Sequence, residues 1–304
     1  MNWPDELLNQ LSSQPCCGYR RDSAIAAEPT ALAALALGSW GRWDEARVAA
    51  TWLADHQATD GAVGARAGKE APHWPTGLAL LAWRAFAACA PISRGNPVFQ
   101  QNIHRGSAWL LAARSKPLPE AVATGHDANL VAWPWVEGTH AWIEPTAMSV
   151  LGLKACGFTD HPRTREAVRL LLNRQLPTGG CNYGNTTVLG RTLRAHVQPT
   201  GLALLALAGE VDANGTISRS ADFLCQHTSV HTTTTSLAWA ILGLCAHARC
   251  PVPASDWLLA AAERGSFADR SPLKMSLLLL AEKGIAGSLL ELVRTDRTAT
   301  LPQS

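Results

Sequence analysis

The chain has 304 residues, 47 % of them apolar and only 16 % charged, with a formal net charge of +2. That apolar content suffices for a large buried core, and so even a charge balance gives no reason to expect nucleic acid or an acidic membrane surface as partner. No apolar run approaches the ~20 residues that cross a bilayer, so no membrane span is expected.

The chain opens with MNWPDELLNQ, acidic and polar and unlike a signal peptide. A short helix is predicted from Asp5 to Leu11, then a loop through Pro15, Cys16, Cys17 and Gly18. Arg20-Arg21 ahead of AIAAEPTALAALALG looks like a twin-arginine export signal, but Glu28 and Pro29 interrupt that run. The run fits a repeat better. Glu28-Pro29-Thr30-Ala31-Leu32 recurs as Trp74-Pro75-Thr76-Gly77-Leu78, Glu144-Pro145-Thr146-Ala147-Met148 and Gln198-Pro199-Thr200-Gly201-Leu202. Weaker copies start near Thr234 and Pro272. Repetition of this kind governs the whole fold reading.

Each copy predicts a helix that starts at proline, which has no N–H to lose at the first helical position. The residues that follow are Ala- and Leu-rich on every side, so each helix is expected to be buried. Copies begin 35 to 70 residues apart, room for a buried helix, a return helix and a loop. The first buried helix is predicted over 29–37, its outer partner from Asp44 to His56, and a glycine-rich turn over 57–64. Arg66, Lys69 and His73 lead to the second buried helix at Pro75; a connection covers 91–96, and the next outer helix runs from Pro97 to Arg114.

The linker 115–143 is the longest irregular stretch and carries Asp127, Trp133, Trp135, Glu137, His140 and Trp142. Long loops on a rigid scaffold commonly carry binding groups. The third buried helix spans Pro145–Ala155, and the outer helix after it runs from Pro162 to Arg174. A turn follows, Gln175 to Asn185, and buried helices at Pro199, Thr234 and Pro272 complete the set. The tail after Arg294 is polar and expected to fray. The expected fold is all-α: six helical hairpins closed into an (α/α)6 toroid, one domain over 1–304. Eight cysteines, none in a CxxC pair, predict reduced and mostly buried thiols and a cytoplasmic location.

In such a toroid the inner helices run parallel, so the loops before them frame one mouth lined by helix N-termini. An apolar centre with tryptophans at its mouth suits an isoprenoid or other apolar small molecule. Trp74, Trp133, Trp135 and Trp142 are candidate wall residues; a lid packed on the ring would use the same tryptophans equally well. Tyr183, Asn185 and His196 are further candidate substrate contacts, although a turn of this composition can be purely structural. His73, His140 and His196 each precede an inner helix by a few residues.

The helices and the Gln-x3-Gly-Gly-x2-Tyr-Gly stretch from Gln175 to Gly184 resemble the repeats of squalene-hopene and other terpenoid cyclases and of protein prenyltransferase β subunits. Gln57-x2-Asp-Gly-x2-Gly looks like a degraded second copy. The resemblance implies the toroid and an isoprenoid substrate. Cyclases that protonate an alkene open an inner helix with Asp-x-Asp-Asp-Thr-Ala; here only the central, proton-donating position is acidic, as Glu144, between Trp142 and Pro145. Glu144 is thus the expected proton donor and His140 its partner, the plainer alternative being a helix-start carboxylate, as Glu28 would also be.

The prenyltransferase zinc ligands and an Asp-Asp-x-x-Asp magnesium motif are not found, nor is a Cys-Gly-Glu-Gln thioester motif. No metal or cofactor is expected; Cys225, His227 and His231 have ligand chemistry but lack a fourth partner. The readings left open are an isoprenoid cyclase or isomerase, a non-catalytic isoprenoid- or lipid-binding toroid, and a carbohydrate enzyme using Asp127 and Glu137 as its carboxylate pair.

Overall fold

The computed structural model describes residues 2–68, 71–89, 99–117, 125–268 and 271–285. Lys69, the connection at 91–96, the start of an outer helix at Pro97 and the tail after Arg294 lie outside the described residues. Among the described residues there are twelve helices, and the fold is all-α. In chain order they are α1 (Trp3–Ser13), α2 (Ala27–Ser39), α3 (Trp43–Asp55), α4 (Thr76–Cys89), α5 (Gln100–Ala112), α6 (Ile143–Ala155) and α7 (Pro162–Asn173). A two-stranded hairpin follows, β1 (Thr187–Val188) and β2 (Arg191–Thr192), then α8 (Val197–Ala206), α9 (Thr216–His227), α10 (Thr234–Ala246), α11 (Ala254–Ala268) and α12 (Pro272–Ile285).

The even-numbered helices carry the repeat. They touch in the order α2, α4, α6, α8, α10, α12, and α12 returns to α2, the closed circuit that an (α/α)6 toroid requires. The outer helices α3, α7 and α9 are amphipathic instead; α7, for example, buries Thr164, Ala167, Val168 and Leu171 on one face. The sixth outer place holds a surprise for a reading by hairpins. It is α1, from the other end of the chain, that packs against α12 and also against α2.

Three devices hold the circuit. Small residues allow close approach: a Cβ added to Gly77 would lie 2.6 Å from the Met148 carbonyl oxygen, and one on Gly243 would collide with the carbonyl of Gly201. Side-chain donors from one inner helix or its end reach backbone carbonyls of the neighbour, and at the ends of α6 and α8 these are the free carbonyls of the negative dipole end. Trp40 donates to Leu279 O at 3.1 Å, Arg84 to Ala155 O at 3.1 Å, and Lys154 to Ala206 O at 2.8 Å. The buried Lys154 ammonium is also paired with Glu210 at 2.7 Å.

The third device explains the threonine of the repeat. Each hydroxyl at Thr30, Thr76, Thr146 and Thr200 accepts the backbone N–H of a preceding loop: Cys17 at 3.2 Å, Val63 at 2.9 Å, Trp133 at 3.3 Å and Cys181 at 2.9 Å. All four threonines are fully buried, so the hydroxyl rivets loop to helix where no water can do so.

Two expectations change. All residues of α6 are buried, as are 29–37 of α2, 199–206 of α8 and 237–246 of α10. Every face of these helices is therefore covered, including the face turned to the ring's axis, and the deep hollow expected from apolarity is filled by the protein's own side chains. The Ala- and Gly-rich composition is the cause, because it draws the six helices close together. The cysteines also differ: Cys245 and Cys250 form a disulfide with a Cα–Cα distance of 4.3 Å. The turn after α10, with Ala248 at φ 56°, brings them together, whereas Cys17 and Cys181 are buried free thiols as expected.

Candidate functional site

With the middle filled, the candidate polar groups gather at the mouth, where the inner helices begin. The residue before the helix-opening proline or its equivalent is Glu28, Trp74, Glu144, Gln198, Thr233 and Ser271 around the ring. Neighbouring members of this layer meet: Gln198 Nε2 donates to Glu144 Oε1 at 2.8 Å. The loop before α2 closes the layer on the other side, with Tyr19 Oη donating to Glu28 Oε2 at 2.6 Å and Ser271 Oγ donating to the Tyr19 carbonyl at 2.8 Å.

Glu28 and Glu144 are the two carboxylates of the layer, one helix apart. Burial pushes Glu28 up to about 7; the Tyr19 hydrogen bond works against this and the charge of Glu144 adds to it. Glu144, only 7 % exposed, is likewise raised by burial, with the Gln198 amide opposing. Helix N-termini favour the ionised form, yet desolvation wins at both positions. The Tyr19 phenol is raised by burial and by Glu28, while Arg66 pulls it the other way.

The aromatic candidates divide. Trp74 meets Trp135 edge to face, with ring centroids 4.7 Å apart, beside the two carboxylates' layer. Trp142 packs against Gly184, where a Cβ would lie 2.9 Å from its ring, and faces His140 at 4.8 Å. Tyr183 is 37 % exposed, its ring 5.1 Å from that of His196, and its backbone carbonyl accepts the first N–H of α6. Burial and the charge of Glu144 both raise its phenol, so it belongs to the same neighbourhood. Trp133 does not line the mouth. It is 2 % exposed, donates to Leu110 O at 3.2 Å and lies under the Arg163 guanidinium.

His140 is not hydrogen-bonded to Glu144, whose Oε1 takes Gln198. Its Nε2 is buried without a hydrogen-bond partner among the described residues, and burial with the nearby Arg174 charge lowers its proton affinity. Asn185 Oδ1 is buried and unpartnered in the same way. His196 is exposed and serves through its backbone, donating to Cys181 O at 2.9 Å. The third histidine of the series, His73, pairs with Glu137 at 3.0 Å on the rim.

The carboxylates Asp127 and Glu137 are committed elsewhere: Glu137 to His73, and Asp127 to the N–H of Asn129 at 2.9 Å. Cys225 faces Arg249 and His227 stacks on Phe223, so the C-x-H-x3-H residues have separate surroundings. Among the described residues no group of three or more His, Cys, Asp or Glu is placed to hold a metal. No described helix is long and apolar enough to cross a membrane.

The sequence reading gave Glu28 no role beyond its helix and did not single out Tyr19 or Gln198. The signal for Glu28 was present, since Glu-Pro-Thr-Ala occurs twice and places Glu28 and Glu144 at the same point of their repeats.

No family model matches the chain, and no curated protein does. A solved structure of a protein from Actinoplanes is similar in fold, with a TM-score of 0.56 at 15 % identity, covering 93 % of this chain and 99 % of that one. At that identity the likeness concerns the fold alone.

Proposed function

We propose that the mouth of the ring is a general acid–base site at which Glu28 and Glu144 move a proton on an isoprenoid-type apolar substrate. The observation that carries this is the pair itself: two carboxyls on the first turns of α2 and α6, both raised by burial, with the charge of Glu144 adding to the rise at Glu28. Such pairs separate acid from base roles at neutral pH. Glu28 at about 7 is part protonated and part ionised there, the condition under which a group both donates and accepts efficiently.

In the proposed reaction the Glu28 proton adds to one carbon of an activated double bond. Glu144 removes a proton from the neighbouring allylic carbon, the double bond shifts, and solvent at the mouth returns the proton to Glu28. No co-reactant is consumed, so the activity is of the isomerase type. A carboxyl raised to about 7 is too weak an acid to start a cyclisation on an isolated alkene, which argues for a substrate already activated. The rings of Trp74, Trp135 and Trp142 offer it an apolar and cation-tolerant surface. His140 is proposed as a wall residue through its contact with Trp142, not as the partner of the acid.

A second reading, binding of an isoprenoid or lipid tail without chemistry, is favoured by the filled centre, which puts the ligand at the mouth instead of deep in the ring. Native mass spectrometry of the purified chain identifies a retained ligand: an isoprenoid supports both readings, and a sugar supports the carbohydrate reading instead. Incubation with squalene and with prenyl diphosphates then separates them. Loss of product in both Glu28→Gln and Glu144→Gln supports catalysis. Undiminished product in both variants removes the two carboxylates from the proposal, and a retained isoprenoid with no product from any substrate leaves the binder.

A further inference from the structure

Apart from the carboxylate layer, a cleft of ≈ 800 Å3 opens between α9 and the segment that leads from the hairpin into α8. Its walls come close for a local reason. Gly179 and Gly180 adopt φ of 91° and 72°, and a Cβ on Gly180 would sit 2.7 Å from the Phe223 ring. The turn therefore lies directly against α9, and the chain beyond it carries Arg194 to the lip facing Arg219, Phe223 and His227.

The charges in this cleft do not balance. Arg219 gives its two terminal nitrogens to neutral acceptors, Asn214 O at 2.9 Å and Thr216 Oγ1 at 3.2 Å. The guanidinium of Arg194 has no hydrogen-bond or ion-pair partner among the described residues; only its backbone carbonyl is engaged, by Asn182. Asp222, the carboxylate of the lining, is taken by Arg249 at 2.6 Å. Two guanidinium charges thus face one cleft uncompensated, whereas Arg163 and Arg165 each meet a carboxylate. Beside them is a flat surface. The His227 imidazole stacks on the Phe223 ring with centroids 4.3 Å apart and planes 22° apart. Its Nδ1 lies 2.9 Å from the Phe223 carbonyl oxygen, which leaves Nε2 available.

We infer that this cleft binds a small organic phosphate carrying a planar ring, of about the size of a nucleoside monophosphate. Guanidinium groups recognise phosphate oxygens in pairs, and a dianion matches two unneutralised arginines where one carboxylate would not. The stacked imidazole takes the ring, and the volume is within the range of small-molecule sites. The inference does not rest on the acid–base reading of the mouth.

Isothermal titration of the whole chain at low salt tests it, with adenosine monophosphate, adenosine and inorganic phosphate as probes. The monophosphate is expected to bind at least about tenfold more tightly than either fragment, a preference of one decade in Kd. Arg194→Ala weakens it by about tenfold or more and Arg194→Lys by less; His227→Ala weakens the monophosphate but leaves phosphate unchanged. Arg194 is exposed, so an unchanged thermal midpoint shows that the variant is folded. The inference is overturned by no binding up to about 1 mM, by equal affinity for phosphate alone (an adventitious ion only), or by indifference to Arg194→Ala. Capture of a polyglutamate peptide with no response to the monophosphate overturns it in favour of an acidic polypeptide.

Discussion

Replacing Glu28 with glutamine tests the electrostatics of the mouth without touching its shape. In the folded chain the Glu28 carboxyl titrates near 7, well above the ordinary 4.5. The sign follows from where each state loses its proton. Below 4.5 both states are protonated and burial of the neutral group costs little. Between 4.5 and about 7 the unfolded chain gives up the proton while the folded chain keeps it, so stability falls as pH rises through that window. At about 1.36 kcal/mol per pH unit the loss has a ceiling of about 3 kcal/mol. Relaxation and water entry at the half-buried site reduce the expected value to about 1–2 kcal/mol. Glutamine keeps an oxygen for Tyr19 and has no charge to desolvate. Urea unfolding at pH 5, 6, 7 and 8 therefore gives a variant little different from wild type at pH 5 and more stable by about 1–2 kcal/mol at pH 8. Parallel curves across that range would refute the reasoning, because they would mean that Glu28 ionises alike folded and unfolded.

Substitutions at four positions examine the scaffold that holds the mouth. Lys154→Met removes the cap on α8 and one of the two cations paired with Glu210, Arg165 being the other; about 1–3 kcal/mol is lost in urea unfolding. Thr146→Val leaves the Trp133 N–H without its acceptor and costs about 1–3 kcal/mol, whereas Thr146→Ser restores most of the loss. Gly243→Ala drives a methyl into the Gly201 carbonyl and lowers stability by about 1–3 kcal/mol, read as a fall in the urea midpoint. Gly38→Ala, whose Cβ would meet nothing closer than 3.4 Å, is neutral or stabilising by up to about 1 kcal/mol.

The helix-opening repeat was legible because proline, small residues and leucine each leave a local mark. The predicted inner segment 145–155 is the body of α6, which begins two residues earlier at Ile143. What the threonine does was not legible. Its partners are backbone groups of Cys17, Val63, Trp133 and Cys181, residues with nothing in common in their side chains. Placing α1 beside α12 is a contact between chain ends that no periodicity reports. Whether six apolar helices enclose a hollow or fill it depends on how closely they approach, and composition alone does not settle that. The site was half legible. Glu144 stood out through its resemblance to a cyclase acid, and Glu28 occupies the same place in its own repeat. Trp133 was chosen for its residue type, but its neighbours Leu110 and Arg163 bind it into the wall.

Carbon-13 NMR titration of the glutamate side-chain carboxyls, in wild type and in Glu144→Gln, reads the coupled pair at the mouth directly. The account predicts a Glu28 carboxyl that titrates near 7 in wild type and moves down when the Glu144 charge is removed. A Glu28 carboxyl that titrates in the ordinary range, with no response to Glu144→Gln, would contradict it.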